Sequence, residues 1–423
     1  MTNFKNLDAR ELEERRAELM ARYQGFQSRN LQIDMTRGKP SPEQLDLSMG
    51  MLACVDADHY QTRDGVDCRN YGGLDGIPEA KRLFAQYLEV EPDEIIIGGN
   101  ASLNVMYDVI LRAMFFGVVD SGVPWGKLPI VRFVCPSPGY DRHFAICEHL
   151  GIEMIPVEMR ADGPDMDAVE EIVAQDGSVK GIWCVPKYSN PTGVTFSDEV
   201  VERLANMETR AKDFRVFWDN AYTVHHLTDT PDRLSNMLDA CKRAGNSERV
   251  LIFGSTSKIS FAGAGLAMMA GSKKNIEFVK EQVAIQTIGP DKLNQLRHVR
   301  FFGDMAGIET HMKKHAAILK PKFDAVLDIF DKELDQSIAE WSRPNGGYFV
   351  SINTLDGCAK AVVSMAAEAG VKLTPAGSTF PFGKDPRDRN IRIAPSLPSI
   401  EEIRLAMELV SICIKLASID RLK

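Results

Sequence analysis

The 423-residue sequence lacks an excess of basic charge: 50 lysines and arginines stand against 59 aspartates and glutamates, a formal net charge of −9. A general nucleic-acid binder, or a protein that docks on anionic membranes, would need the opposite sign. No apolar run reaches the roughly 20 residues that a membrane-spanning helix requires. We therefore expect neither a nucleic-acid partner nor a membrane partner for this chain.

The eight cysteines form no CxxC pair and no cysteine–histidine cluster at metal-ligand spacing, so we expect no metal site. Several lie in apolar stretches, as Cys184 does in IWCVP, where a free thiol behaves as a small buried hydrophobe. The charge-dense residues from Met1 to Glu18 predict a helix, not a secretory signal peptide. Together these patterns predict a cytoplasmic protein with reduced cysteines.

Short apolar runs recur along the chain, and each ends abruptly in glycine and polar residues. The runs cover residues 94–97, 130–134, 181–185, 215–218 and 249–253. Segments with helical periodicity separate them, such as residues 197–210, which open with a serine cap followed by acidic residues. Apolar strands without alternation, separated by helices, predict an α/β fold with a mainly parallel sheet covered by helices on both faces.

The pattern changes near residue 325, where a helix, the GGYFV stretch at 346–350, a second helix and the NIRI stretch at 390–393 follow one another. This order predicts a separate, smaller α+β unit. We expect the N-terminal helix to pack on that unit. The predicted division is an N-terminal segment 1–48, a large domain 49–324 and a small domain 325–423.

The polar residues that follow the strands are the candidates for chemistry, because ligands bind at the carboxyl ends of parallel strands. Lys258 follows one strand, and desolvation there would lower the pKa of its amine and make it a usable nucleophile. Asp219 ends another strand and could balance a protonated ring nitrogen, while Tyr222 could reach a neighbouring phenolic oxygen. Taken singly, a surface lysine and a helix-capping aspartate are the commoner explanations.

Three motifs occur together: SNPTG at 189–193, DNAY at 219–222 and STSK at 255–258. Their order and separations resemble those of the fold-type I pyridoxal-phosphate enzymes, and within them the class I aminotransferases. The resemblance extends from Gly38 to Arg392. It implies pyridoxal 5′-phosphate as the cofactor, bound by the large domain, and a mainly parallel sheet of the seven-stranded type.

The resemblance also implies roles for single residues around the cofactor ring. Lys258 would hold the cofactor as an internal aldimine and later move a proton between Cα of the substrate and C4′. Asp219 would pair with the pyridinium nitrogen. Tyr222 and Asn190 would bind the 3′-oxygen, and Tyr140 would stack on the ring with its flat face.

The phosphate is expected at residues 99–102, where backbone N–H groups lie at a helix N-terminus. The expected phosphate ligands are Asn100, Ala101, Ser102, Ser255 and Ser257. Tyr71 resembles the tyrosine that reaches the phosphate of the neighbouring subunit, which implies a homodimer with shared active sites. One position departs from the pattern: Leu266 stands where many class I members place a phosphate-binding arginine.

For the substrate, Arg392 matches the family's arginine that binds the α-carboxylate, a task suited to a planar, bidentate guanidinium. Gly38, in the TRGKP stretch at 36–40, is expected to contribute a backbone contact. Arg37 and Lys39 are candidates for a distal carboxylate, with a solvated basic pair as an equal alternative. Arg297 and Arg300 are candidates by position only. The expected substrate contacts are therefore Gly38, Arg37, Asn190 and Arg392.

The TRGKP stretch resembles a branch of bacterial aspartate aminotransferases, which implies an exchange between aspartate and 2-oxoglutarate in two half-reactions. Within the same fold, a β-lyase or a decarboxylase shares the cofactor residues, because the orientation of the scissile bond decides the reaction. A ligand-sensing, aminotransferase-like module of a transcription regulator is a further alternative. It would require a basic winged-helix domain ahead of Thr36, where few residues precede.

Overall fold

The computed structural model describes residues 4–423, so the first three residues of the expected N-terminal helix lie outside it. The strands are β1 (Ile33–Met35), β2 (Ile95–Ile97), β3 (Arg132–Ser137), β4 (Glu153–Arg160), β5 (Gly163–Pro164), β6 (Val179–Cys184), β7 (Arg215–Asp219), β8 (Val250–Ser255), β9 (Ala267–Gly271), β10 (Ala339–Trp341), β11 (Val350–Thr354), β12 (Val371–Leu373) and β13 (Asn390–Ile393). The helices are α1 (Ala9–Gln27), α2 (Pro42–Asp46), α3 (Pro78–Leu88), α4 (Ser102–Phe116), α5 (Asp141–His149), α6 (Met166–Gln175), α7 (Asp198–Asn206), α8 (Met237–Arg243), α9 (Lys273–Gln286), α10 (Lys292–Phe302), α11 (Met305–Glu333), α12 (Ala359–Glu368) and α13 (Ile400–Leu422).

The central sheet has the strand order β2-β9-β8-β7-β6-β3-β4-β5. Strands β4, β3, β6, β7 and β8 pair in parallel, whereas β9 runs antiparallel to both of its neighbours. The two-residue strand β5 adds an antiparallel edge to the seven longer strands. The predicted mainly parallel sheet is therefore confirmed, and the carboxyl ends of β3, β6, β7 and β8 meet along one edge.

Helices cover both faces of this sheet because consecutive side chains of each strand point to opposite sides. On β7, Val216 and Trp218 join one apolar core together with side chains of α3, α6, α7 and α8. Phe217 joins a second core with Met106 of α4 and Phe144 of α5. Two buried faces explain why the central strands are continuous apolar runs instead of alternating ones.

A second unit is built from segments at both ends of the chain. Its sheet elements are the antiparallel set β10-β11-β13 and the parallel pair β1-β12. The N-terminal helix α1 contacts this unit: Tyr23 donates to the carbonyl of Met365 at 2.9 Å, and Arg16 Nε lies 2.7 Å from Asp420 Oδ1. The helix begins at a capping box formed by Asp8 and Glu11.

Helix α11 connects the two parts of the molecule. Ile308 and Met312 near its start belong to the core under the central sheet, whereas Leu319 and Phe323 belong to the core of the second unit. Among residues 4–423, the model contains no helix with both the length and the apolarity needed to cross a bilayer.

Five histidines are held in surroundings that disfavour their charged form. Burial lowers the pKa of His226, His298 and His315 to about 4, and it also lowers the pKa of His225 and His311. The unfolded chain would titrate these side chains near pH 6.5. Between pH 6.5 and 4 the unfolded state therefore binds more protons than the folded state, and folding stability falls as the pH falls.

We expect the free energy of unfolding to decrease from pH 7 to pH 5, by roughly 1–2 kcal/mol for each of the three histidines with a pKa of about 4. Urea unfolding at a series of pH values measures this slope. Replacing His298, which is buried, by asparagine should make the slope shallower, while replacing exposed Gln175 by asparagine should leave it unchanged. An equal stability at pH 7 and pH 5 would contradict the prediction.

Candidate active site

Four chain segments bring the candidate residues together at the carboxyl edge of the central sheet. Asp219 is the last residue of β7, and Lys258 lies three residues beyond the end of β8, its parallel neighbour. Asn190 follows β6 on the other side of β7. Tyr140 follows β3 and occupies the N-cap position of α5. Because the four strands run in parallel, residues that are distant in the sequence lie together at one edge of the sheet.

The amine of Lys258 lies in an aromatic environment. Its Nζ is 5.2 Å from the ring centre of Tyr222 and 5.9 Å from that of Tyr348, and the two tyrosine rings stack at 6.1 Å with 25° between their planes. Burial lowers the pKa of the Lys258 amine, and the negative charge of Asp219 opposes part of this shift. A lysine with a lowered pKa is more often neutral, and only a neutral amine is a nucleophile or a base.

Asp219 is only 2% exposed and has two different carboxylate oxygens. Its Oδ2 lies 3.0 Å from Nε2 of His143, whose ring stacks on Trp183 at 4.0 Å. Its Oδ1 is buried and has no hydrogen-bond partner within residues 4–423. Because a buried carboxylate oxygen without a donor is costly, this atom fits a ligand that presents a positively charged N–H group.

His143 is a site residue that the sequence analysis did not identify. It lies three residues after Tyr140, in the first turn of α5, and its ring meets that of Tyr140 edge-on at 4.9 Å. The one available signal was this i, i+3 spacing, which places two side chains of a helix start near each other. His143 fixes the orientation of the Asp219 carboxylate.

The N-terminus of α4 provides a place for an anion. Gly99 has φ of +75°, Ala101 is the N-cap, and no side chain of the described residues caps the helix. Uncapped backbone N–H groups at a helix start bind anions. Ser257 lies across from this turn and donates to the carbonyl of Asn100 at 3.4 Å. The structure therefore brings the predicted segment 100–102 to Ser257, near the end of β8 at Ser255.

Leu266 is 3% exposed and contributes no charge to this turn. Its backbone N–H donates to Thr256 Oγ1 at 2.8 Å, and its carbonyl accepts from the backbone N–H of Thr256 at 2.8 Å. The side chain faces a cavity of about 470 Å³ that it shares with Ile96, Val105 and Met269. The position thus belongs to the apolar part of a cavity that Asn100, Asp108 and Arg112 also line.

Arg392, in β13, is almost fully buried and is held from several sides. Its guanidinium donates to Asp141 Oδ1 at 3.0 Å, to Asn190 Oδ1 at 3.2 Å and to Thr374 Oγ1 at 3.3 Å. The carbonyl of Thr36 lies 3.5 Å away, because the pairing of β1 with β12 places Thr36 beside Thr374. This fixed, charged guanidinium is suited to a carboxylate. Asp141 was not identified from the sequence.

The other predicted substrate residues differ in their placement. A Cβ at Gly38 would lie 2.7 Å from the Phe349 ring, so this position requires glycine, and Phe349 in turn lies under the guanidinium of Arg392. Arg37 is exposed. Arg300 donates to the carbonyls of residues 54, 59 and 61 and is thereby occupied within its own chain. Arg297 has a buried Nε without a partner among residues 4–423.

Tyr71 is not part of the cluster in its own chain, since it is 82% exposed on the loop before α3. Among residues 4–423 there is also no group of three or more histidine, cysteine, aspartate or glutamate side chains arranged to hold a metal ion. The cluster therefore combines a partly buried lysine, an unpaired carboxylate oxygen, an uncapped helix start and a buried guanidinium.

Comparison with known proteins identifies the family. The sequence profile of the family described as aspartate amino-transferase matches residues 7–423, nearly the whole chain. The chain belongs to the aspartate aminotransferase family. A family member from Corynebacterium glutamicum, named aspartate aminotransferase, is 47% identical over 404 residues, which cover 95% of this chain and 93% of the relative.

Solved structures agree with this family. The crystal structure of an aspartate transaminase from Corynebacterium glutamicum matches with a TM-score of 0.97 and 45% identity, covering 100% of both chains. An α-aminoadipate aminotransferase from Thermus thermophilus, solved with N-(5′-phosphopyridoxyl)-L-leucine, shares the fold with a TM-score of 0.75 at 19% identity, covering 96% of this chain and 98% of that one. The predicted fold class is confirmed.

Proposed function

We propose that this aminotransferase uses pyridoxal 5′-phosphate to move an amino group between aspartate and 2-oxoglutarate. The observation that carries the proposal is the unpaired Oδ1 of Asp219, buried beside a lysine amine at the carboxyl edge of the sheet. The name of the Corynebacterium glutamicum relative, at 47% identity, supports aspartate as the amino donor.

The residues present fit this cofactor. When bound, pyridoxal phosphate supplies an electron sink for the carbanion at Cα of the substrate. Asp219 Oδ1 would receive the ring N–H, while His143 holds the carboxylate in place from the other oxygen. Tyr140 would pack on the ring, and Tyr222 and Asn190 would bind the 3′-oxygen. The phosphate is assigned to residues 100–102 and to the hydroxyls of Ser255 and Ser257.

Lys258 would hold the cofactor and would act as the base at the substrate Cα. Its neutral form is favoured by burial, which lowers the pKa of the amine. The rings of Tyr222 and Tyr348 exclude water from the amine on one side. A proton taken from Cα is thus retained on Lys258 for delivery to a second atom.

Arg392 binds the α-carboxylate of the substrate. Its contacts with Asn190 and Thr374 fix the plane of the guanidinium, so little conformational entropy is lost on binding. The backbone at Gly38 closes this pocket against Phe349. We assign the distal carboxylate to Arg37, which is exposed one residue away and therefore accessible to a second negative charge.

The chain organisation and the compartment are part of the proposal. We assign residues 1–48 to the N-terminal segment, 49–324 to the large domain and 325–423 to the small domain, in line with the transition between cores along α11. All eight cysteines are free thiols. This supports a reducing, cytoplasmic location.

The functional unit is proposed to be a homodimer in which Tyr71 reaches the phosphate site of the second subunit. The 82% exposure of this aromatic side chain in the single chain supports the assignment. Sedimentation equilibrium should give twice the chain mass, and Tyr71→Ala should release pyridoxal phosphate more readily than the wild type without loss of the dimer. A monomer with full activity would contradict the proposal.

We expect the purified protein with pyridoxal phosphate to show a visible absorption band that is lost with aspartate and restored with 2-oxoglutarate. Each half-reaction is then seen separately, without a coupled assay. Lys258→Ala should show no such cycle. A band that is insensitive to aspartate but responds to another amino acid would contradict the substrate, and a protein that binds no pyridoxal phosphate would contradict the cofactor.

Arg392→Lys should raise KM for aspartate by roughly tenfold to a hundredfold, because a point charge cannot make the two parallel bonds of a guanidinium. Steady-state kinetics measure the effect. Arg387→Lys is the matched control, since Arg387 is exposed and pairs with Asp356 on the surface. An unchanged KM in Arg392→Lys would remove this arginine from the substrate site.

A further inference from the structure

A network of buried polar side chains begins at Tyr348, one of the two tyrosines near Lys258. The amide Nε2 of Gln44 donates to Tyr348 Oη at 2.9 Å and lies 3.1 Å from Nδ1 of His315. His315 Nε2 is 3.1 Å from His311 Nε2, which lies 2.8 Å from the carbonyl of Ile259. The network therefore begins at a ring whose centre lies 5.9 Å from the Lys258 amine and ends at the carbonyl of Ile259, the residue after Lys258.

Every side chain of this network is buried. Gln44 and Tyr348 have no exposed surface, and His311 and His315 are at most 5% exposed. A buried polar network of this size is costly unless all of its members are bonded. Its members come from α2, from α11 and from the segment before β11. The hydrogen bonds of the network therefore form only when these three distant parts of the chain are in their correct relative positions.

The N-terminal segment holds Tyr348 at two points. Gln44 fixes the hydroxyl, and the same amide group accepts the backbone N–H of Ser41 at 3.1 Å through Oε1, which fixes Gln44 itself. Six residues earlier, Gly38 lies against the ring, where a Cβ would be 3.3 Å from Cδ1 of Tyr348. Gln44 thus holds the hydroxyl end of the Tyr348 ring, and the backbone at Gly38 limits its movement near Cδ1.

We propose that Gln44 is a positioning residue for the reaction. By binding the Tyr348 hydroxyl it keeps that ring against the Lys258 amine, excludes water there and so sets how basic Lys258 is. His315 and His311 support Gln44 from behind. The inference deepens the proposed function, since it concerns the basicity of the lysine to which that function assigns proton transfer.

The titration of Lys258 tests this directly and requires neither cofactor nor turnover. In cofactor-free protein, competitive labelling with acetic anhydride over a range of pH, read peptide by peptide, gives the pKa of the Lys258 amine. In the wild type we expect a value below the 10.4 of an ordinary lysine. In Gln44→Leu and in Tyr348→Phe, water reaches the amine and the value should rise by at least half a unit.

Both substitutions remove the same hydrogen bond, so their effects should not add. The double variant Gln44→Leu/Tyr348→Phe should show the shift of the larger single variant. Gln175→Leu is the matched control, because Gln175 is an exposed glutamine on α6. The exposed lysines of the same digest should keep their wild-type values in all variants. Tyr348→Phe removes a single hydroxyl and keeps the ring, so it still tests the proposal if Gln44→Leu does not fold.

A Lys258 pKa unchanged in both single variants, with the fold intact by circular dichroism, would overturn the proposal and leave the network a purely structural one. Fully additive shifts would also overturn it, because they would show two independent effects. Failure of the proposed function gives a different result: the wild type would then bind no pyridoxal phosphate, while the labelling comparison still decides the role of Gln44.

Discussion

Asp219 is held at the end of β7 with one carboxylate oxygen against His143 and the other buried without a donor among residues 4–423. A folded chain tolerates such an atom where a ligand satisfies it. Much of the surrounding structure supports this arrangement: Trp183 stacks on His143, and β7 lies between two parallel strands whose ends bring Asn190 and Lys258 to the same edge. Burial keeps water away from the Asp219 oxygen, which is therefore left to accept from a cationic N–H ligand. Burial also lowers the pKa of the Lys258 amine.

The second unit completes the site from the opposite side. Arg392 lies in β13, Tyr348 directly before β11, and Gly38 after β1, so three elements of that unit contribute to one wall. Helix α11 belongs to both cores and carries His311 and His315 between them. A change in the angle between the units would therefore move the guanidinium and the Tyr348 ring together. The proposed carboxylate site at Arg392 and the surroundings of the lysine therefore depend on the same unit.

The elements that could be predicted are those with a recognisable local pattern, such as a short apolar run that ends in glycine and polar residues. Five apolar runs became β2, β3, β6, β7 and β8, with ends within a few residues of those expected. Strand β4 was missed because it lies near the sheet edge and alternates between buried and exposed residues, and β9 because its AMMAG sequence lacks β-branched residues. His143, Asp141 and Gln44 were missed for another reason. Their partners are 76, 251 and 304 residues away, so no local pattern marks them apart from the i, i+3 spacing of Tyr140 and His143.

The proposed anion site would be built without a side-chain cation at the expected position, where Leu266 stands. A guanidinium there would lie beside Ile96, Val105 and Met269, and the Asp108 carboxylate of the same cavity is already paired with Arg112 at 3.8 Å, so burial of the guanidinium would be costly. The start of α4 carries a partial positive charge of about half a unit, and no side chain of the described residues neutralises it by capping. Backbone amides and hydroxyls at such a helix start provide hydrogen-bond donors for a dianion. A phosphate held in this way would depend on the backbone path at Gly99, whose φ of +75° favours glycine.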